Sequence, residues 1–199
     1  MTKALRAFAL LLCALPFAAL AQMPPDVVRG TVEALNGNKL TLRTESGVTD
    51  TIVLAPDWTV TVLKPIGADA IKPGSLIGTA EMPLSKGVGR SLEVHVFPPG
   101  MRPPVGHFAW NLRPGSMMTN GTVGRVAAVT NGREMTVVYP HGSRRIVVPR
   151  QVPIVEFTRG ERSQIKPGLP AILMVSRSPQ GALTSGDISI GADGAKPPM

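Results

Sequence analysis

What most constrains the fold of this 199-residue chain is that it presents one series of landmarks twice. Gly30-Thr31-Val32 returns as Gly121-Thr122-Val123, Asn36-Gly37 as Asn131-Gly132, and Leu40-Thr41-Leu42 as Met135-Thr136-Val137. Ile71-Lys72-Pro73-Gly74 returns as Ile165-Lys166-Pro167-Gly168, and Val94-His95-Val96 as Ile188-Ser189-Ile190. A period of about 90 residues is too long for a solenoid unit and long enough for a small domain.

Each copy consists of short runs rich in Val, Ile and Thr, broken every eight to twelve residues or so by Gly, Pro or Asn, the pattern of an all-β barrel or sandwich. Strands are expected near 27–35, 39–44, 51–54, 59–63, 75–80 and 91–97, and again near 121–129, 134–138, 144–148, 154–157, 170–175 and 183–190. Alternation at Leu40/Leu42, Val60/Val62 and Met135/Val137 gives these strands one buried face. Asn36-Gly37 and Asn131-Gly132 tolerate the positive φ of a tight hairpin. Pro73-Gly74 and Pro167-Gly168 suit the centre of a type II turn. Before each lies a short polar segment, 67–70 or 160–163, long enough for one helical turn. A unit of roughly 70 residues buries only about 60% of its unfolded surface, so a lone copy is marginal and two in contact are favoured. The expected fold is therefore all-β: two tandem small β-barrels of oligonucleotide-binding-like type, a short helical turn in each, joined by a Pro/Met-rich connector. In residue terms this is a first barrel at 22–97, a connector at 98–119, a second barrel at 120–191 and a flexible tail at 192–199.

Residues 1–21 read as a signal peptide: Lys3 and Arg6 precede the apolar run 7–15, and Ala19-Leu20-Ala21 has the small-x-small form of a cleavage site. The run is too short to span a bilayer. A periodic pattern of this kind behind a secretory leader places the mature chain in the periplasm or outside the cell. Cys13, the only cysteine, falls within the leader. After cleavage, disulfides, thiolate metal sites and cysteine nucleophiles are excluded.

The order Gly-Thr-Val, Asn-Gly, Leu-Thr-Leu, Ile-Lys-Pro-Gly and a closing Val94-His95-Val96-Phe97-Pro98 resembles a group of secreted bacterial β-domains known as a domain of unknown function. The resemblance covers both copies. It extends into the connector through Gly106-His107 and the stretch from Pro114 to Asn120, although residues 103–111 are less polar and less acidic here than in those relatives. Relatives are sometimes labelled as components of metal transporters. A chain whose long apolar stretch is its leader cannot itself be a permease, so the resemblance implies at most a soluble accessory.

Charge separates the two copies. Residues 22–97 carry 7 basic and 8 acidic side chains, whereas residues 120–191 carry 9 basic and 4 acidic ones, and 8 of those 9 are arginine. Arg144, Arg145, Arg150, Arg159 and Arg162 crowd the second copy and form a candidate anion-binding set, because guanidinium groups suit phosphate and carboxylate. An anionic envelope component or an acidic protein partner fits such a surface. Nucleic acid is disfavoured by the leader and by the scarcity of stacking residues, since Trp58, Trp110 and Tyr139 are the only tryptophans and tyrosine.

The connector and its flanks hold the one cluster of unusual side chains: His95, Met101, His107, Met117 and Met118, with Trp110 among them. Imidazole and thioether together suit reduced copper, which makes these five a candidate metal set. The competing reading is that Phe97, Met101, Phe108, Trp110 and the methionine pair plug the seam between the barrels. In the strand 91–97, alternation puts Glu93 and His95 opposite Leu92, Val94 and Val96. His95 is matched by Ser189 in the second copy, so it reads as solvent-facing, as does His141 in the hairpin 139–142. No nucleophile elbow, phosphate loop or His-Glu-x-x-His site is present, and Glu33, Asp57 and Glu81 are not paired by any motif. The expected function is a secreted, non-enzymatic binding or interaction module, with its ligand surface in the arginine-rich copy or at the seam. The alternative is a periplasmic copper accessory protein.

Overall fold

The computed structural model describes residues 26–195, so the expected signal peptide at 1–21, residues 22–25 and the last four residues of the expected tail lie outside the described residues. The chain is all-β. β1 (Val27–Asn36), β2 (Lys39–Thr44) and β3 (Thr49–Pro65) form a meander, followed by a 3-10 turn at Ala68–Ala70. β4 (Leu76–Ser85), β5 (Val88–Ser91) and β6 (Val94–Val96) complete the first copy, and β7 (Gly106–Ala109) arises inside the connector. β8 (Met117–Val129), β9 (Gly132–Tyr139), β10 (Gly142–Pro149) and β11 (Ile154–Gly160) precede a second 3-10 turn at Arg162–Gln164. β12 (Pro170–Met174), β13 (Ser176–Arg177) and β14 (Leu183–Gly191) close the chain.

Local expectations hold well. Gly37 turns the first hairpin at φ 63°, and Gly74 and Gly168 sit at φ 86° and 90°. The amides of Ser75 and Leu169 donate to the carbonyls of Lys72 and Lys166, as a type II turn requires. Leu40, Leu42, Val60, Val62, Met135 and Val137 are all buried at the spacing of two. The tail does not loosen at residue 192: the Ala192 amide donates to Leu63 O and Ala195 is buried.

Strand partnership departs from one barrel per copy. A closed five-stranded barrel runs β1–β2–β3–β14–β12 and back to β1, with β3 and β14 parallel. Three of its strands come from the first copy and two from the second. A second ring of ladders runs β4–β5–β10–β9–β8 and back to β4, with β5 and β10 parallel. The pairings β11–β3 and β11–β6 join the two rings, so every strand belongs to one continuous hydrogen-bonded series. The copy boundary is thus not the barrel boundary, and the expected segments 22–97 and 120–191 do not correspond to separate barrels.

The repeated motifs are where the exchange is made. Gly168 N donates to Val32 O and Val32 N to Leu169 O, while Gly74 N donates to Val123 O and Val123 N to Ser75 O. Each Pro-Gly turn therefore docks on the Gly-Thr-Val of the other copy. Ile165 is buried in the core with Leu40, Leu42 and Ile52, and Ile71 in the core with Met135, Val137 and Ile146.

The glycine of Gly-Thr-Val has a steric cause. A Cβ on Gly30 would overlap the carbonyl oxygen of Arg43, and one on Gly121 that of Val138. Both oxygens belong to ladder strands that cannot retreat. Gly30→Ala and Gly121→Ala are each expected to lower stability by about 1–3 kcal/mol through overpacking, read by chemical denaturation. Gly186→Ala, with open space around it, should change little.

Candidate ligand-binding cavity

Alternation along the barrel strands sends Leu173, Val175, Ile188 and Ile190 inward, and Ile172, Met174 and Ser189 outward. The register aligns Thr61, Ser189 and Ile172 in a row across β3, β14 and β12. Facing this row, His95 on β6 and Asn120 on β8 flank Gly78 on β4. The connector runs over the gap between them. Beneath it lies a cavity of about 650 Å³, lined by that row and by His95 and Asn120, together with Phe97, Met101, Phe108, Trp110, Met118 and Phe157.

Packing holds this roof in place. His95 stacks on Phe157 at 5.0 Å, Phe157 meets Phe97 edge-on at 5.0 Å, and Phe108 meets Trp110 edge-on at 6.3 Å. Asn120 Nδ2 donates to Pro104 O at 2.8 Å, and Ser116 Oγ is 3.1 Å from Trp110 O. A side chain at Gly78 would meet Asn120 Oδ1 and the Phe97 ring. The seam-filling role expected of Phe97, Trp110 and Met118 agrees with their burial.

His95 is not solvent-facing. It is 1% exposed, because the outward face of β6 turns toward the seam rather than toward water. It does share that face with Glu93, and its Nε2 lies 3.1 Å from Glu93 Oε1, off hydrogen-bond alignment. Arg29, half-buried, donates from Nη2 to Asn111 Oδ1 at 2.8 Å. Burial lowers the Arg29 pKa, and the negative charge of Glu93 opposes that shift. Trp110 Nε1 and Asn120 Oδ1 are buried without hydrogen-bond partners among the described residues. Asp187 also lines the cavity, and burial raises its pKa.

A second polar group occupies the second ring. Arg144 Nε donates to Glu81 Oε1 in a buried ion pair, and Arg144 Nη2 donates to Val88 O at 3.2 Å. Thr119 Oγ1 donates to the same Glu81 oxygen at 3.1 Å. With that proton committed, His107 Nδ1 is the donor in its 2.8 Å contact with Thr119 Oγ1. Burial raises the Glu81 pKa, with Arg144 and Thr119 opposing, and burial followed by the nearby Arg144 charge lowers that of His107. Glu81 fits because residue 89 is glycine: a Cβ there would overlap its carboxylate.

The arginine set therefore divides. Arg144 is 8% exposed and committed to Glu81, so it is no surface anion ligand. Arg162 caps Pro56 O and Trp58 O at 3.1 and 3.0 Å and lies 4.4 Å over the Trp58 ring. Arg145, Arg150 and Arg159 remain exposed on β10, the following turn and β11. The metal set divides too, because neighbours along a strand face opposite ways. Met118 lies across from Phe108 and Ala80, and Met117 from Ala109 and Glu81. His95, Met101 and Met118 reach the cavity with Met174, whereas His107 and Met117 do not line it. No group of three or more His, Cys, Asp or Glu that could hold a metal ion occurs among the described residues.

Glu81, Glu93, Asn120 and Asp187 carry no motif, and their roles were not legible one at a time. The available signal was comparative: Glu93 and His95 occupy the places of Asp187 and Ser189 in the other copy. Comparison with protein-family models, curated proteins and solved structures finds no match for this chain.

Proposed function

We propose that the protein is a secreted, non-enzymatic binding module whose ligand sits in the seam cavity rather than on the arginine-bearing strands. The observation that carries this reading is the cavity itself: about 650 Å³, walled mainly by aromatic and aliphatic side chains with a few polar groups among them. That is the make-up of a small-molecule site. Each ring of five strands with one parallel pair is read as an oligonucleotide-binding-like barrel shared between the copies, and the cavity lies where their outer faces meet. Of the five arginines, Arg144 and Arg162 are committed within the fold, Arg145 lies 3.8 Å from Glu134 and Arg150 donates to Thr130 O. That leaves the anionic-partner surface with three dispersed charges that are in part already paired.

An apolar fluorescent probe such as N-phenyl-1-naphthylamine is expected to bind saturably at one site and to shift Trp110 emission. Ala109→Phe, a filling substitution on the edge strand β7, should abolish binding, and Arg145→Glu with Arg150→Glu should leave it intact. Unsaturable binding, or binding indifferent to Ala109→Phe, would sink the reading. A second reading, a reduced-copper site, is favoured by the convergence of His95, Met101, Met118 and Met174 on the same cavity. Stoichiometric displacement of the probe by reduced copper, lost in Met118→Leu, would select it.

A further inference from the structure

Asp187 stands on the wall of the seam cavity with no cation beside it. Its backbone groups meet the Ser185 hydroxyl, but its carboxylate enters no ion pair or hydrogen bond among the described residues. The matching residue of the first copy, Glu93, makes no hydrogen bond through its buried oxygens among the described residues, but it has His95 at 3.1 Å and the Arg29 charge nearby. In the second copy the place of His95 is taken by Ser189, so the equivalent carboxylate is left uncompensated. Asp187 is half-buried, so its carboxylate is partly withdrawn from water without a pairing group, and a bound cation would offset that loss. The same cavity presents Phe97, Phe108, Trp110 and Phe157, whose ring faces attract ammonium groups. Arg102, the opposite charge on the cavity lining, is exposed and solvated, and so lacks the same need of a partner.

Resting on the reading of the cavity as a ligand site, we infer that it selects an amphipathic organic cation: an ammonium group on an apolar body, with Asp187 as counter-ion. The full chain is titrated calorimetrically, at fixed ionic strength and below micelle formation, with decyltrimethylammonium, decan-1-ol and decanoate. The cation should bind about tenfold or more tighter than the alcohol, a difference well resolved in Kd, and decanoate weakest. Asp187→Asn should remove the cation preference, bringing the cation's affinity down to that of decanol, and a cooperative chemical-denaturation curve reports that the variant is folded. A cation no tighter than decanol, a preference that survives Asp187→Asn, or decanoate binding tightest would each overturn the inference while leaving the cavity as a ligand site. Failure of all three probes to bind would overturn both.

Discussion

A fragment of residues 26–99 is expected to give no folded monomer, and so is a fragment of residues 100–195, whereas mixing the two restores a β-sheet spectrum and dispersed amide resonances. Each fragment supplies strands to both rings and completes neither, because β12 and β14 close the barrel begun by β1–β3, and β4 and β5 close the ring begun by β8–β10. Refolding of the first fragment onto its own strands is opposed by charge. The register aligns Leu40 with Ile52 and Met135 with Ile146, so Asp50 holds in the barrel the place that Arg144 holds in the second ring. By the spacing from the Pro-Gly turns, Glu81 holds the place of Val175. A folded-back first copy would set Glu81 into the apolar core near Asp50, with no guanidinium at the place that Arg144 holds, and a folded-back second copy would set Arg144 against Val175. An unpaired buried charge costs about 3–5 kcal/mol, a large share of the roughly 5–15 kcal/mol by which domains are stable. Either fragment giving a dispersed spectrum alone as a monomer would refute the exchange as a requirement for folding.

Arg144→Met is expected to destabilise the intact chain by about 3–5 kcal/mol, because it leaves the carboxylate of Glu81 buried, with its Oε2 already lacking a partner. The double variant Glu81→Leu/Arg144→Met should recover most of that loss, since removing both charges of a buried pair is far less costly than removing one. The pH dependence has a definite sign. Burial already raises the Glu81 pKa in the folded protein, and loss of Arg144 raises it further. The folded variant therefore takes up a proton at a pH where the unfolded chain does not, and stability falls as pH rises through that raised value. The penalty is full above the folded-state pKa and shrinks as the solution is acidified toward the ordinary carboxylate range. Denaturation curves at pH 7.5 and pH 5 measure it, and an equal loss at both values would exclude Glu81 as its source.

How much of this was legible in the sequence depended on the range over which each interaction acts. Gly37, Gly74 and Gly168 and the alternation at Leu40/Leu42 and Met135/Val137 act within a few residues, and the strands and turns follow from them directly. β7 was not foreseen, because Gly106–Ala109 is too short to carry a pattern and is defined by its pairing with β8. His95 was placed on the correct face of its strand, yet that face is buried, because alternation distinguishes two sides without saying what covers either. Met117 and Met118 looked like one feature and point to opposite sides of a strand. Asp187 is not marked in the sequence, because a single aspartate near a bulge has no pattern; its meaning depends on the absence of the histidine and arginine that accompany Glu93.

The sequence by itself determined that the chain is all-β, where its turns fall and which strand faces are apolar, since steric preference and a period of two are local. Only the tertiary structure decided which strands pair. A β-ladder is made of backbone groups that any strand edge can satisfy, so two copies with the same order of strands and turns admit both a self-closed and an exchanged arrangement. The choice falls to contacts between residues far apart in the chain: Glu81 with Arg144, and each Pro-Gly turn with the Gly-Thr-Val of the other copy. The same exchange brings the outer faces of the two rings together under the connector, and so creates the cavity that neither copy contains alone.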